Sequence, residues 1–170
     1  NLEDVLKDDY RHPIPTGIDG IDNLLNGGLA KGELGVILAP TGVGKTTILT
    51  RFANTAFNMG YNVLQIFFED NPKIIQRKHF TCWTGIEPQK LSENKEKVLS
   101  KADEMKKNGG KLILKKLASD EFTIAQIKNQ IRKITSEGVN LDIVVLDYID
   151  CVIPDRSFND EWKGEGSVMR

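Results

Sequence analysis

The residues Ala39-Pro40-Thr41-Gly42-Val43-Gly44-Lys45-Thr46 stand between an apolar run and an amphipathic one. The run before them, Leu34 to Leu38, predicts a short buried strand. The run after them, Thr47 to Met59, repeats apolar residues at helical spacing and is closed by Gly60. A strand, a glycine-bearing loop and a helix, in that order, are the setting in which a loop binds phosphate. The sequence therefore predicts a phosphate-binding loop at residues 39–46.

The residue types in this loop suit a nucleoside triphosphate. Gly42 and Gly44 allow backbone conformations that a side chain forbids, so that backbone N–H groups can surround an anion. The N-terminus of the following helix adds partial positive charge. Lys45 can reach the β- and γ-phosphates of ATP, and the hydroxyl of Thr46 can bind Mg²⁺. The residues expected to contact the nucleotide are Ala39, Pro40, Thr41, Gly42, Val43, Gly44, Lys45, Thr46 and Thr47.

One position departs from the usual pattern, GxxxxGK followed by Ser or Thr. The first glycine of that pattern is Ala39 in this chain. The alternative interpretation is a glycine-rich turn that joins a strand to a helix and binds nothing. The strand-like and helix-like flanks favour the phosphate-binding interpretation, since both are required for it.

Composition limits the other classes of function. The 170 residues carry 23 Lys and Arg against 24 Asp and Glu, so the net charge of −1 gives no global sign of nucleic-acid binding. Cys82 and Cys151 fit no metal-binding spacing and indicate thiols in a reducing compartment. His12 and His79 are too few for a histidine metal site. No apolar run is long enough to span a membrane, and the expected location is cytoplasmic.

Strands and helices alternate along the chain, which predicts an α/β fold. The predicted strands are 34–38, 62–68, 111–117 and 142–147. The main helices are 47–59, one that Asn71 caps and Pro72 opens and that ends just before Trp83, one at about 93–107, and one that opens with a capping box at Thr123 and Gln126. This alternation predicts a mainly parallel, twisted sheet with helices on both faces. Thr16 is the expected N-cap of a short helix before Gly27-Gly28. Residues 1–15 are interpreted as a linker, and residues 16–170 as one domain.

Two further acids complete the candidate site. Asp147 ends the apolar strand that begins at Ile143, and a carboxylate at that end of a parallel strand lies beside the phosphate loop. We expect Asp147 to hold Mg²⁺ together with Thr46. Glu69 ends the second strand and is the candidate general base for the attacking water, with Asp70 as the competing candidate. The alternative for each acid is a solvated residue at a turn or a helix N-terminus.

Other polar and aromatic residues have ordinary explanations. Trp83 and Trp162 could stack on bases, but a tryptophan at a helix end is more often a packing anchor. The cluster Arg77, Lys78 and His79 is interpreted as a solvated face.

Several motifs together resemble the RecA-type ATPases, and more narrowly the C-terminal motor domain of DnaB-type replicative hexameric helicases of bacteria and phages. The motifs are Thr16-Gly17-Ile18-Asp19, Gly27-Gly28-Leu29, the loop 39–46, Phe68-Glu69 and Leu146-Asp147-Tyr148-Ile149. The resemblance covers about residues 16–153. It implies a RecA-like P-loop fold in which Lys45 binds phosphates, Thr46 and Asp147 hold Mg²⁺ and Glu69 activates water. It also implies a hexameric ring, single-stranded DNA bound by loops after the Asp147 strand, and partners such as a primase or a loader. Residues 1–9 would correspond to the end of the linker helix that such helicases dock on a neighbouring subunit.

The chain differs from this family in two places. Asp150 stands where such helicases usually have glutamine, three residues after the strand-ending acid. The segment 154–166, which corresponds to a DNA-contacting loop, has two basic residues against four acidic ones. The family also continues with a strand that carries a γ-phosphate sensor and with an arginine that completes the neighbouring active site. Neither is recognisable before Arg170, so the C-terminal part of the domain is expected to lie outside this sequence.

The leading functional hypothesis is an ATP-hydrolysing motor that translocates on single-stranded DNA during replication. A second hypothesis is a RecA-, RadA- or KaiC-like ATPase that serves recombination or signalling. A third is a nucleotide-gated binding module that hydrolyses little. Directional unwinding distinguishes the first hypothesis from the second, and turnover distinguishes both from the third.

Overall fold

The computed structural model describes residues 11–107, 109–118 and 122–149, together with Glu3 and Val152. Within these ranges three strands form one sheet: β1 (Val63–Phe67), β2 (Leu112–Lys116) and β3 (Ile143–Asp147). Their order is β2-β1-β3, and β1 pairs in parallel with both neighbours. The predicted parallel α/β fold is confirmed, with β1 at its centre.

Five α-helices and one short 3₁₀ helix are described. They are α1 (Asp19–Leu24), α2 (Lys45–Asn58), α3 (Pro72–Thr84), the 3₁₀ helix Pro88–Lys90, α4 (Lys95–Met105) and α5 (Ile124–Ser136). Helices cover both faces of the sheet, and β1 is therefore buried along its whole length. Because alternate side chains of a strand point to opposite sides, the two faces of β1 belong to two different cores. One core contains Leu64, Ile66 and Phe68 with Ile127 and Ile134 of α5, and the other contains Val63 and Val145 with Ala53, Ala56 and Phe57 of α2.

Local capping signals correctly predict two helix starts. The side chain of Asn71 accepts a hydrogen bond of 2.9 Å from the backbone N–H of Lys73, and Pro72 takes the first helical position of α3. Thr123 and Gln126 form the predicted reciprocal capping box at the start of α5. Since each cap satisfies backbone donors of its own first turn, these starts depend only on nearby sequence.

The predicted buried strand at 34–38 is wrong. These residues have no strand pairing, and Leu34, Val36 and Leu38 are 72%, 50% and 90% exposed. An apolar run becomes a strand only when a neighbour takes up its backbone hydrogen bonds. Among the residues that the structure describes, β1 has both neighbours already, and no strand pairs with 34–38. The apolar composition of this run is typical of a strand, but the run has no strand partner among the described residues.

The predicted cap at Thr16 is also wrong. The N-cap of α1 is Ile18, which makes no side-chain cap hydrogen bond. Instead, one carboxylate oxygen of Asp22 accepts hydrogen bonds from the backbone N–H and the hydroxyl of Thr16, both at 2.7 Å. The other oxygen accepts from the backbone N–H of Gly17 at 3.0 Å. Asp22 therefore fixes the turn before α1 from inside the helix.

The segment before Thr16 is bound to the glycine turn that follows α1. Arg11 donates Nε and Nη2 to the two carboxylate oxygens of Glu33, at 2.9 and 2.8 Å. That hydrogen bonding lowers the pKa of Glu33 to about 2. The same guanidinium donates to the carbonyl oxygens of Leu25, Asn26 and Gly28. Residues 11–15 thus pack on the domain, while the division at residue 16 stays a prediction.

In the Gly27-Gly28 pair of this turn, the second residue has to be glycine for a steric reason. Gly28 is buried and has φ of +122°, and a Cβ atom there would lie 2.1 Å from the carbonyl oxygen of Ile14. Ile14 and Leu29 exchange backbone hydrogen bonds of 2.8 and 3.0 Å directly beside it. Only glycine permits this close approach of two backbone segments.

His79 is buried, which corrects the interpretation of Arg77, Lys78 and His79 as one solvated face. The imidazole is 1% exposed, and its Nε2 lies 2.9 Å from Oε1 of Gln65 in β1. Gln65 in turn donates Nε2 to the hydroxyl of Thr50 in α2, at 3.4 Å. This network joins α3, β1 and α2. Burial lowers the pKa of His79 to about 4.

We expect the protein to lose stability on mild acidification because of His79. Below pH of about 6.5 the unfolded chain binds a proton at this histidine, whereas the folded chain binds it only near pH 4. The free energy of unfolding should fall by about 2 kcal/mol between pH 7 and pH 5 from this group alone. Urea unfolding at both pH values measures the change.

The matched variants for this test are His79→Gln and His12→Gln. The first should remove most of the pH-dependent loss, because glutamine stays neutral across this range. The second should retain it, because His12 is exposed. An equal loss in wild type and His79→Gln would contradict the assignment.

Candidate nucleotide-binding site

The loop before α2 has the backbone conformation that its glycines predict. Gly42 and Gly44 have φ of +84° and +101°, in the left-handed region. Gly44 is the N-cap of α2, and no side chain caps that end. The first backbone N–H groups of α2 therefore lack a capping side chain, at the end of the helix that carries partial positive charge. Such an end can bind an anionic phosphate.

Thr46 and Asp147 meet across the start of α2 and the end of β3. Thr46 lies close enough to Asp147 for its hydroxyl to lower the pKa of the Asp147 carboxyl, and Asp147 is 6% exposed. The position of Asp147 is fixed by the sheet register, which pairs it with Phe67 of β1. A hydroxyl and a carboxylate are oxygen ligands of the kind that Mg²⁺ binds. The two residues expected to hold the metal are thus brought together.

The pKa of Asp147 is raised above its ordinary value. Burial is the largest cause, and the hydrogen bond from Thr46 opposes it. The negative charge of Asp70 raises this pKa further, whereas the positive charges of Lys78 and Lys45 lower it. A buried carboxylate beside another acid gains from a bound cation, so the electrostatics of this site suit a metal ion.

Glu69 lies at the same edge of the sheet, just after β1, and is exposed. The hydroxyl of Tyr148 donates a 2.8 Å hydrogen bond to Oε1 of Glu69. The Tyr148 ring also lies beneath Lys45, whose Nζ is 5.1 Å from the ring centroid. The peptide bond between Asp147 and Tyr148 is cis. Glu69 and Lys45 therefore both contact Tyr148, a side chain whose role the sequence does not reveal.

Asp70, the competing candidate for general base, has different surroundings. Its Oδ2 lies 3.8 Å from Nζ of Lys78, and its charge acts on Asp147. Lys78 belongs to α3, the helix that follows Asp70 in the chain, and forms an ion pair with Asp70. Asp70 contributes to the electrostatic field at Asp147, whereas Glu69 accepts a hydrogen bond from Tyr148.

The remaining predicted residues divide between packing and the part of the chain outside the described residues. Trp83 packs against Phe57 and Phe80, with ring centroids 5.9 and 5.5 Å away, which confirms it as a packing anchor. Asp150, Trp162 and the segment 154–166 lie outside the described residues. Within the described ranges, none of the helices is long and apolar enough to cross a lipid bilayer.

A parallel sheet that brings Lys45, Thr46 and Asp147 to one edge defines a P-loop ATPase domain of the RecA-like class. Comparison with known families makes this more specific. The chain belongs to the family of the DnaB-like helicase C-terminal domain, whose model matches residues 13–165.

Two kinds of relative agree with this class. The solved ATPase domain of the protein G40P superposes with a TM-score of 0.75 at 17% identity, over 96% of this chain and 59% of that one. This likeness supports the RecA-like fold. DNA repair protein RadA from two strains of Mycobacterium tuberculosis is 32% identical over 77 residues, 44% of this chain. That alignment spans 16% of RadA, so the chain covers only a small part of the curated relatives that it matches.

Proposed function

We propose that this domain hydrolyses ATP and uses the energy to translocate on single-stranded DNA during replication. Membership in a helicase-domain family supports this function. The observation that carries it is the placement of Thr46 beside the buried Asp147, with the charge of Lys45 acting on the same carboxylate. These three side chains provide a cation for phosphate and two oxygen ligands for a metal at one edge of the sheet.

In the proposed site, nucleotide binding depends on backbone as well as side chains. The uncapped N–H groups of the loop residues 39–47 and of α2 hold phosphate oxygens, and Lys45 neutralises the β- and γ-phosphates. Thr46 and Asp147 would hold Mg²⁺, which supplies charge neutralisation at the transferring phosphate. Among the described residues no cluster of three or more acidic, histidine or cysteine side chains could bind a metal alone. This suits Mg²⁺, which takes phosphate and water oxygens as further ligands.

Glu69 is the proposed general base. It lies on the same sheet edge as Asp147, one strand away, and its carboxylate is accessible to water. It would accept a proton from the water that attacks the γ-phosphate, while Lys45 and the loop amides stabilise the charge on the γ-phosphoryl oxygens and on the β-phosphate of the departing ADP. The reaction needs no covalent intermediate with the protein.

The proposed assembly is a hexameric ring in the cytoplasm of a bacterium or a phage-infected host. Single-stranded DNA would contact the loops after β3, and a primase or a loader would be a further partner. Nucleotide bound between subunits would move those loops during turnover. Family membership supports each part of this proposal.

The test is steady-state ATP hydrolysis by the full-length protein, with and without single-stranded DNA, with its oligomeric state measured in parallel. We expect hydrolysis to rise several-fold with DNA in a ring-sized assembly, followed by directional unwinding of a forked duplex. A hydrolysis rate that does not change with DNA, in a protein that does not unwind the forked duplex, would contradict the helicase function.

A recombination ATPase is the second candidate, and the 77-residue similarity to RadA favours it. Such a protein would hydrolyse ATP with DNA and assemble on it, without unwinding a forked duplex in one direction. The unwinding assay therefore separates the two functions. Tight nucleotide binding without turnover would instead indicate a nucleotide-gated binding module.

A further inference from the structure

Tyr148 contacts two residues that the proposed reaction needs. Its hydroxyl donates to Oε1 of Glu69 at 2.8 Å, and its ring lies 5.1 Å below Nζ of Lys45. Its ring also packs against the core cluster around Leu64 and Ile66, which fixes its place at the sheet edge. One anchored side chain therefore links the base candidate to the phosphate-loop lysine.

We propose that Tyr148 is a positioning residue that restrains Glu69 until nucleotide binds, and this inference rests on the proposed ATPase function. In the arrangement seen here, Lys45 lies over the tyrosine ring, and Oε1 of Glu69 accepts the tyrosine hydroxyl. Both groups are held by contacts within the protein. Tyr148 thereby couples nucleotide binding at the phosphate loop to the hydrogen bonding of the Glu69 carboxylate.

The direction of this coupling depends on whether Lys45 interacts more strongly with phosphate or with the Tyr148 ring. A lysine ammonium is held more strongly by phosphate oxygens than by a partly solvated aromatic face. Phosphate in the loop thus draws Lys45 away from the ring and removes one of the two contacts that fix the arrangement. The tyrosine hydroxyl still occupies one carboxylate oxygen of Glu69, which keeps that oxygen from accepting a hydrogen bond from a water molecule. Release of that hydrogen bond is the step that frees the base.

Two substitutions separate the hydroxyl from the ring. Tyr148→Phe keeps the ring under Lys45 and its core packing, and removes the hydroxyl that donates to Glu69. We expect kcat without DNA to rise roughly fivefold, the factor that loss of one hydrogen bond gives, with KM for ATP within about twofold. Tyr148→Leu also removes the ring, and should in addition tighten binding of a fluorescent ATP analogue by a few-fold because Lys45 is no longer held. A purely structural role would lower kcat in both variants.

The control variants test whether the effect passes through Glu69. The gain in kcat from Tyr148→Phe should vanish in a Glu69→Gln background, as a double-mutant cycle requires of coupled residues. Tyr61→Phe, a tyrosine that packs against the opposite core, should leave kcat and KM unchanged.

The full-length protein is used throughout, and its analogue binding is measured first. A wild-type protein that binds no nucleotide overturns the proposed function and this inference together. If wild type binds and hydrolyses ATP, an unchanged or lowered kcat in Tyr148→Phe overturns the inference alone, whereas binding without hydrolysis overturns the proposed function and the inference together. A raised kcat that persists in the Glu69→Gln background also overturns it.

Discussion

Lys45→Ala lowers ATP hydrolysis in the presence of Mg²⁺ by about 10³-fold or more, to the background of the assay. Lys45 is the first residue of α2 and directly follows Gly44, whose φ lies in the left-handed region. Its side chain therefore starts at the loop that we propose binds the phosphates. Alanine removes the cation that offsets charge developing on the γ-phosphate, while the helix and its backbone donors stay. Steady-state phosphate release measures the loss.

The matched control is Lys97→Ala, which removes an exposed lysine of α4. Its hydrolysis should equal that of wild type within a factor of about two, because isolated surface charges contribute little. Thermal unfolding of both variants separates lost chemistry from lost folding. Undiminished hydrolysis by a folded Lys45→Ala protein would refute the assignment of the site.

Glu69→Gln leaves nucleotide binding within about threefold of wild type but slows turnover by about 10²–10⁴-fold. The amide has the shape of the carboxylate and can still accept the hydroxyl of Tyr148 through its oxygen, so the local structure is retained. It cannot take a proton from water. Single-turnover hydrolysis, with affinity for a fluorescent ATP analogue measured separately, distinguishes these two effects.

Asp70→Asn decides between the two acids. Because Asp70 pairs with Lys78 and acts on Asp147 through its charge, its loss should weaken metal binding and raise the Mg²⁺ concentration needed for activity. Activity should recover at high Mg²⁺. If Asp70→Asn instead stops turnover at all Mg²⁺ concentrations and Glu69→Gln does not, the roles of the two acids are exchanged.

Features encoded by neighbouring residues were predictable from the sequence. The cap of α3 by Asn71 and the capping box of α5 depend on side chains within three residues of the backbone groups that they satisfy. The left-handed glycines of the loop follow from the pattern alone, and so does Asp147 at the end of β3. The convergence of Thr46 and Asp147 also followed, since parallel strands present their C-terminal ends at one edge.

Features that depend on distant partners were not predictable. Residues 34–38 have strand composition, but their pairing is decided by which backbone lies beside them. Asp22 replaced the expected cap because its carboxylate reaches three donors in the turn before the helix. His79 directly follows two basic residues in the sequence, yet its side chain lies inside the protein against Gln65. The only signal for Tyr148 was its place directly after the strand-ending acid.

The pairing of Phe67 with Asp147 makes the site sensitive to insertions rather than to substitutions. A conservative exchange of one buried aliphatic residue in β3 leaves the spacing along the strand unchanged. One residue added to or removed from β3 turns every later side chain to the opposite face, and Asp147 with them. The carboxylate would then point away from Thr46 while the sheet kept its hydrogen bonds. For this site, the length of β3 therefore matters more than which aliphatic residues fill it.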